Sequence, residues 1–352
     1  MKTIKYLILL SMLGFAFASC LKNNDIDFPQ YDHSLIMSNG SGTKLMLTNP
    51  VNGKDLFMSK PSPVVEDVKS LRAGYMCKNA VFVAKTYLSD DYIMSIYTCD
   101  AKTGVGTKAI TGDNLYVQDV NTSKTEPKIV FTGKPKAIPE YNSLYIINED
   151  GSNQSHLTLP LEGVTGLDGK EYELLDISSP AFSPDGSKIA VNAIVDNLYS
   201  IPNSIFFEGI LLMNNDGSNK KFLYWKQGKF PYANQDICWS EDGNFLLFVT
   251  IDIDNSFHRQ INAINITSKK ITNLTASLEI NGNQVNDIYT SPNSNKIVFN
   301  QYLDGGSDLF IADYEVLDDI FSIKKSPIKL TDRNNSEYSY YTPSWQLWDE
   351  NL

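Results

Sequence analysis

An all-β fold made of repeated sheets is predicted by three observations on this 352-residue sequence. Tyr, Phe, Thr and Ile are plentiful, whereas the Leu/Ala/Glu/Lys periodicity of long helices is scarce, which favours strands. A strand–turn–strand segment recurs along the chain, and so does a hairpin with an Asp-Gly turn. Together the two repeats supply four strands per unit, which is typical of a β-propeller. We expect six blades, with seven as the alternative.

The strand–turn–strand repeat is clearest at residues 176–193 and recurs at 236–250 and 287–301. Its turn serines, Ser183, Ser240 and Ser291, are 57 and 51 residues apart. In the first copy the turn continues as Pro-Asp-Gly, where Pro presets φ, Asp caps the turn and Gly accepts a positive φ. The third copy has Asn-Ser in place of Asp-Gly, and Asn still suits a turn.

The hairpin repeat occupies residues 148–153 (NEDGSN) and 214–219 (NNDGSN). Each copy follows an apolar strand and precedes a shorter one, as expected for a hairpin with an Asp-Gly turn. Residues 265–274 fill the same place with a different turn. The six predicted blades, in chain order, are residues 33–60, 74–112, 115–160, 173–225, 234–276 and 286–332.

The first predicted blade lacks an inner strand, and the C-terminus is expected to supply it. Residues 341–345 place Trp345 where Phe182 and Trp239 stand in the inner strands of other blades. A C-terminal inner strand would close the ring and remove an exposed sheet edge. We interpret Trp239 and Trp345 as residues that pack one blade against the next.

Residues 179–191 (SPAFSPDGSKIAV) and the Asp-Gly hairpins resemble the TolB-type β-propeller repeat. The resemblance covers the third to sixth predicted blades well and the first two weakly. It implies a TolB-like β-propeller. TolB carries a separate α/β domain before its propeller, whereas only about a dozen residues separate the leader from the first strand here.

The first residues have the features of an export signal. Lys2 and Lys5 precede an apolar segment at residues 6–17, which is short for a membrane span. The small residues before Cys20 resemble a bacterial lipoprotein cleavage box, and the alternative is an ordinary secretory signal. We expect a lipoprotein signal peptide at residues 1–19, a lipid-anchored tether at 20–32 and one propeller domain at 33–348. Lipidation of Cys20 would anchor the protein without a spanning helix.

Charge narrows the classes of partner. The formal net charge is −11, so neither nucleic acid nor an anionic lipid surface is an expected partner. We expect a monomer attached to the membrane through Cys20, most simply the outer membrane, facing the periplasm or the outside. Its partner would be a protein or a glycan of the envelope. No cofactor is expected, and no motif supports a structural or channel-bound calcium ion.

Catalytic motifs are not found in the sequence. His33, His156 and His258 are far apart and lack the spacing of metal ligands. There is no Gly-x-Ser-x-Gly segment and no Cys-x-x-Cys pair. Cys77 and Cys99 flank a predicted hairpin, at strands near 80–87 and 92–98, and either pair or stay free. Cys238 is expected to be a buried apolar group.

The candidate binding site is the channel mouth, where loops leading into the inner strands meet those joining the second and third strands. Tyr and Asp side chains are concentrated there, as suits a polyol, a cation or a basic side chain. The alternative is that the aspartates cap backbone amides. The candidate ligand-binding residues are Tyr172, Asp176, Tyr199, Tyr232, Asp236, His258, Arg259, Asp287, Tyr302, Tyr338 and Tyr340.

These residues predict a lipid-anchored propeller that acts as a non-enzymatic binding or scaffolding module for a glycan or protein partner. The alternative is a polysaccharide lyase or hydrolase that uses channel-mouth carboxylates, with His258 and Arg259 as the nearby basic pair. Trp225, at the end of an outer strand, is expected to be an exposed aromatic residue able to stack on a sugar or anchor a partner.

Overall fold

The computed structural model describes strands throughout the propeller region. The described residues are 33–39, 45–48, 55–59, 66–74, 78–88, 91–101, 103–136, 141–159, 161–196, 206–228, 235–252, 258–278, 285–291, 295–303, 306–331 and 340–347. Within them no helix has the length and apolarity needed to cross a bilayer. The described strands all belong to one compact unit, Asp32–Leu352. The predicted signal, tether and lipidated Cys20 lie outside the described residues and stay predictions.

The first half of the chain supplies three groups of antiparallel strands. The first group is β1 (His33–Asn39), β2 (Leu45–Thr48) and β3 (Asp55–Ser59). The second is β4 (Glu66–Ala73), β5 (Asn79–Leu88), β6 (Asp91–Asp100) and β7 (Lys108–Ala109). The third is β8 (Leu115–Thr122), β9 (Lys128–Pro135), β10 (Ser143–Asn148) and β11 (Ser155–His156).

The second half supplies three more groups and one final strand. The fourth group is β12 (Gly163–Thr165), β13 (Glu171–Phe182), β14 (Lys188–Asp196), β15 (Phe206–Asn214) and β16 (Lys221–Gly228). The fifth is β17 (Gln235–Trp239), β18 (Phe245–Asp252), β19 (His258–Asn265) and β20 (Ile271–Asn273). The sixth is β21 (Val285–Thr290), β22 (Lys296–Leu303), β23 (Gly306–Leu317), β24 (Ile320–Ile323) and β25 (Ile328–Lys329), followed by β26 (Tyr340–Leu347).

Among the described residues, five sheets are each built from consecutive strands, and β26 pairs with β1 in a sheet of order β26-β1-β2-β3. The innermost strands contact one another in sequence: β4 with β8, β8 with β13, β13 with β17, β17 with β21, β21 with β26, and β26 with β4. Strands arranged in this way surround a central channel. The predicted all-β propeller arrangement is therefore confirmed.

The predicted number and limits of the blades need correction. No described strand is left for a seventh blade, so that alternative is wrong for the described part of the chain. The second blade was expected to begin at residue 74, but its inner strand is β4. This strand was missed because its sequence, EDVKSLRA, is rich in charged residues and lacks a clear apolar strand pattern. The fourth sheet begins at β12 rather than at residue 173. Six blades closed by the C-terminal strand stay a prediction.

The core lies between the faces of neighbouring sheets. Val83 and Ile96 of the second group pack with Val120 and Phe131 of the third, all fully buried. Burying a side chain the size of Phe131 stabilises the fold by about 1.5–3 kcal/mol. Trp239 packs in the same way against the preceding sheet and donates its indole N–H to the carbonyl oxygen of Ala181 at 3.1 Å. The predicted blade-to-blade packing by Trp239 is confirmed, whereas the side chain of Trp345 lies outside the described set.

The turns follow the predicted chemistry. Gly186 has φ of 70°, its amide donates to the Ser183 carbonyl at 2.8 Å, and the Ser183 hydroxyl donates to Asp185 Oδ1 at 2.5 Å. The second copy repeats the hydroxyl contact between Ser240 and Asp242, again at 2.5 Å. These turns fix the register of the inner hairpins.

The described cysteines, Cys99 and Cys238, are free and buried. The suggested Cys77–Cys99 disulfide is therefore not formed, and Cys77 itself lies outside the described residues. The prediction that Cys238 is a buried apolar group is confirmed. Burial raises the pKa of both thiols to about 12, so neither is a reactive thiolate near neutral pH.

Candidate functional site

The inner strands share a bulge that carries one polar residue. We use the term bulge residues for Ser70, Asp119, Ser179, Asp236 and Asp287, which lie at or beside the register shift of β4, β8, β13, β17 and β21. Four of them have left-handed φ values of 48–49°. For residues other than Gly this conformation costs on the order of 1 kcal/mol or more, and such strain is concentrated at functional or tightly held sites.

The bulge residues join neighbouring inner strands. Ser70 Oγ accepts the amide N–H of Val120 at 3.2 Å, and Ser179 Oγ accepts that of Asp236 at 3.2 Å. Asp236 Oδ2 in turn accepts the amide N–H of Asp287 at 2.8 Å. Each contact gives an acceptor to a backbone N–H that the bulge leaves without a partner in its own sheet. The predicted alternative, that aspartates cap backbone amides, is confirmed for Asp236.

Charged groups from several strands interact at this level of the channel. The Arg72 guanidinium of β4 lies 4.5 Å from the centre of the Tyr289 ring of β21, in cation–π geometry. Burial raises the pKa of Tyr289 well above its usual value; Arg72 opposes that shift, while Asp236 and Asp287 add to it. Arg72 Nε has no hydrogen-bond partner in the structure.

This environment shifts the pKa of the Asp236 carboxylate. Burial raises its pKa, and the negative charge of Asp119 adds to the rise. The amide of Asp287 and the guanidinium groups of Arg72 and Arg259 act in the opposite direction. Burial lowers the pKa of Arg259, and the same pair of carboxylates, Asp236 and Asp287, opposes that shift.

The remaining carboxylates are held by side-chain donors. Asp119 Oδ1 accepts the hydroxyl of Ser70 at 3.1 Å, and Asp287 Oδ2 accepts the amide of Asn300 at 2.6 Å. Three carboxylates therefore share the channel with two guanidinium groups. Within the described residues no group of three or more His, Cys, Asp or Glu side chains is placed to hold a metal ion. The arrangement suits a polyol, whose hydroxyl groups can donate to the carboxylates and accept from the guanidinium groups.

The structure brings together three of the predicted site residues, Asp236, Arg259 and Asp287. Asp176 is partly buried outside this group, where its Oδ1 accepts the amide N–H groups of Asn142 and Ile177. Apart from Tyr172, the side chains of the remaining six predicted residues lie outside the described set: Tyr199, Tyr232, His258, Tyr302, Tyr338 and Tyr340.

Tyr172 is the predicted site residue that the structure contradicts. Its side chain is only 2% exposed, and its hydroxyl donates to Asp168 Oδ2 at 2.9 Å. Burial and Asp168 raise its pKa to about 12. The hairpin of β12 and β13 lies against β16, so the Tyr172 ring packs edge-on against Trp225, with ring centroids 5.1 Å apart.

Trp225 is also placed differently from the prediction. It is partly buried, and its ring stacks on Phe207 with centroids 4.4 Å apart. The sequence prediction of an exposed aromatic residue was wrong because the extra strand β12 was not recognised. The Gly166 backbone lies so close to Trp225 that an added Cβ would be 2.3 Å from the indole.

Two site residues that the sequence reasoning missed are Asp119 and Arg72. A spacing signal existed for Asp119, since it precedes Ser123 by the same four residues that separate Asp236 from Ser240 and Asp287 from Ser291. The same spacing assigns Ser179, rather than Asp176, to the equivalent position of β13. Arg72 has no such signal, because its role depends on a contact with the distant strand β21.

Comparisons with known proteins show the same fold at low sequence identity. A nidogen/laminin complex structure matches with 11% identity and TM-score 0.54 over 90% of this chain and 98% of that one. TolB from Acinetobacter baumannii matches with 14% identity and TM-score 0.55 over 89% of this chain and 66% of the TolB chain. Hydrazine synthase of Kuenenia stuttgartiensis matches with 10% identity and TM-score 0.61 over 90% of this chain and 47% of the hydrazine synthase chain.

The propeller fold, with TolB among its structural neighbours, is thus shown. A shared fold does not transfer the functions of those neighbours to this chain. No protein-family model and no curated protein matches the sequence.

Proposed function

We propose that this chain is a lipid-anchored protein of the bacterial cell envelope whose propeller binds a protein or glycan partner at the channel mouth, without catalysing a reaction. The observation that carries the proposal is the channel lining itself. Asp236 combines a left-handed backbone, burial and a nearby like charge, and Asp287 shares the left-handed φ. Features that oppose folding in this way are concentrated where a protein is adapted to a ligand.

Binding without catalysis is supported by the hydrogen bonds of the carboxylates. Among the described residues each of Asp119, Asp236 and Asp287 already accepts a donor from the protein. A general base must instead be within reach of a substrate proton. The guanidinium of Arg259 adds donors beside these acceptors, so the hydroxyl groups of a glycan or the neutral polar groups of a peptide would meet complementary partners.

The location follows from the N-terminal sequence and the propeller resemblance. A leader ending at Cys20 would place the chain on a membrane of the envelope, for which the outer membrane is our proposal. The fold shared with TolB agrees with an envelope protein. We further propose that β26 and β1–β3 form a sixth blade.

The test is capture of partners by the purified protein from envelope extracts and on a glycan array. We expect Asp287→Asn and Arg259→Gln to abolish binding, because each removes a charge from the channel. Asp216→Asn is the matched control. It makes the same change in an exposed turn, where the Asp216 carboxylate accepts the amide N–H of Ser218 away from the channel. Circular dichroism checks that every variant is folded. Wild-type binding by both folded channel variants would contradict the proposed site.

One observation favours the alternative of a polysaccharide lyase or hydrolase. Burial raises the pKa of Asp236, which makes its carboxylate a stronger base than an ordinary one, and Arg259 is near enough to neutralise an acidic sugar. Incubation with a panel of acidic polysaccharides, with and without Mn²⁺ or Ca²⁺, separates the two functions. Product formation that is lost in Asp236→Asn would establish the enzyme and overturn the non-enzymatic proposal.

A further inference from the structure

Exposed apolar side chains lie on a ribbon that extends beyond the sheet of the sixth group. β22 begins at Lys296, which pairs with Asp313, whereas β23 and β24 continue past that pair as two strands up to Leu317 and Ile320. Leu317 is 61% exposed, and Val316 and Ile320 are exposed as well. Neighbouring exposed apolar side chains of this kind mark surfaces that contact a protein or a membrane.

The exposed apolar surface continues onto the fifth group. β24 contacts β20, whose first residue, Ile271, is exposed. The tip of the ribbon is tied to the same group, because the Asn265 side-chain amide donates to Asp319 Oδ1 at 3.4 Å. The apolar surface therefore spans the edges of two neighbouring sheets. We use the term apolar rim for Ile271, Val316, Leu317 and Ile320.

Three lysine side chains border the apolar rim. Lys269 and Lys270 precede Ile271 in the turn between β19 and β20, and both are exposed. Burial lowers the pKa of Lys269, and the positive charge of nearby Lys221, at the start of β16, lowers it further. In the part of the chain that the structure describes, none of the three forms an ion pair with a carboxylate. Their charges are available to an anionic partner.

The apolar rim lies at the end of the propeller opposite the channel mouth, which we call the turn face. Phe245, which follows the inner turn of the fifth group, pairs with Asn265, which leads into the β19–β20 turn. Both turns therefore lie at the same end of that sheet. The pair of Lys296 with Asp313 gives the same result for the sixth group.

The N-terminal strand also begins at the turn face. β26 has its register shift toward its N-terminal end, as β17 has, so both strands run from the channel mouth to the turn face. His33, the first residue of β1, pairs with Leu347, the last residue of β26. The proposed tether, residues 20–32, would join the propeller at this face. A tether of that length reaches at most about 45 Å, so a membrane that holds Cys20 stays near the turn face.

The charges and composition of the apolar rim favour a membrane surface over a protein partner. The net charge of the whole chain is −11, but here three lysines are opposed by two aspartates at the ribbon tip, Asp318 and Asp319. Lysine is depleted at the cores of protein–protein interfaces. Apolar side chains bordered by lysines are instead typical of segments that lie in a membrane interface, where the lysines reach the headgroups.

We propose that the apolar rim docks on the surface of the membrane that carries the lipid anchor, with Leu317 and Ile320 in the headgroup region and Lys269 and Lys270 on anionic lipid phosphates. A lipid anchor combined with a basic patch holds a protein on a membrane more firmly than either alone. The channel mouth then points away from the membrane, toward a partner in the aqueous compartment. This inference rests on the proposed function for the anchor, and not for the channel.

The test is co-sedimentation of the mature chain with lipid vesicles, using Cys20→Ser so that no lipid is attached. We expect binding to vesicles of phosphatidylglycerol and phosphatidylcholine in equal parts, and weaker binding to phosphatidylcholine alone. The double variant Lys269→Gln/Lys270→Gln should weaken binding about tenfold or more. Leu317→Ser/Ile320→Ser should weaken it by a similar factor. Asp318→Asn should strengthen it, because the variant removes an opposing charge.

Leu167→Ser and Lys170→Gln are the matched controls, since both residues are exposed in the β12–β13 turn at the mouth end of the propeller. They should bind vesicles as the unmutated chain does, and circular dichroism checks the fold of every variant. Absence of vesicle binding, or equal binding by rim and control variants, would overturn the proposal. Self-association in analytical ultracentrifugation that is lost in Leu317→Ser/Ile320→Ser would also overturn it, and would assign the rim to a second copy of the chain. Palmitate labelling of Cys20 tests the anchor separately, so a failed anchor and a failed rim give different results.

Discussion

At the scale of single residues, Asp236 and Asp185 have carboxylates whose pKa values move in opposite directions. Asp185 accepts hydrogen bonds from Ser183 and Ser187, which lower its pKa. Its contribution to stability is present above the unfolded pKa near 3.8 and is lost as pH falls through the lower folded value. Burial raises the pKa of Asp236, so its charged form opposes folding. The stability of the fold therefore falls as pH rises from the unfolded pKa of Asp236, near 3.8, to its higher folded pKa.

We therefore predict that Asp236→Asn raises the unfolding temperature at pH 8, since the amide oxygen can still accept from Asp287. The gain should disappear near pH 4, where the wild-type carboxyl is protonated in the folded state. Asp185→Asn, the matched change in a turn, should lower the unfolding temperature at pH 8. Thermal unfolding followed by circular dichroism from pH 4 to 8 measures both. A lower unfolding temperature for Asp236→Asn at pH 8 would show that its charge stabilises the fold.

At the scale of elements, the β12–β13 hairpin accounts for the largest departure from the predicted fold. It adds a fifth strand to its sheet, and its turn glycine Gly166 lies on the ring of Trp225. Phe207 and Tyr172 pack against that ring from other sides, with ring centroids 4.4 and 5.1 Å from the Trp225 centroid. The indole has little room to move, so the hairpin acts as the cover of a small aromatic core.

Gly166→Ala should destabilise the protein by about 1–3 kcal/mol, the usual cost of overpacking a filled core. The new Cβ would be 2.3 Å from Trp225 and 2.7 Å from Tyr172. Gly163→Ala in β12 is the control, since its nearest neighbour would be 3.6 Å away. Urea unfolding of both variants gives the free energies. Equal stability of the two would mean that the hairpin moves aside easily.

At the scale of the whole molecule, the repeated turns made the propeller predictable, because Ser-x-Asp-Gly chemistry is local and is visible in the residues themselves. The candidate site was predictable only where it followed the same repeat, as with Asp236 and Asp287. The Arg72–Tyr289 contact joins residues far apart in sequence, and the burial of Tyr172 depends on a strand outside the repeat. Neither has a local signal, since both arise from packing between elements.

The remaining prediction concerns how the two ends of the chain meet. β26 pairs with β1 from His33–Leu347 to Asn39–Tyr340, and it also contacts β4 and β21. Deleting residues 338–352 removes that strand, leaves an edge of β1 unpaired and opens the contact between β4 and β21. We expect the unfolding temperature to fall by about 10 °C or more, with aggregation on size-exclusion chromatography.

Deletion of residues 348–352 alone is the control for this truncation, since it leaves β26 in place and should change the unfolding temperature little. Scanning fluorimetry of the two truncated proteins beside the full chain makes the comparison. An unchanged unfolding temperature after loss of β26 would show that the sheets hold together without it. The C-terminal strand would then be an added edge and not the closure of the ring, and the proposed sixth blade would have to be abandoned.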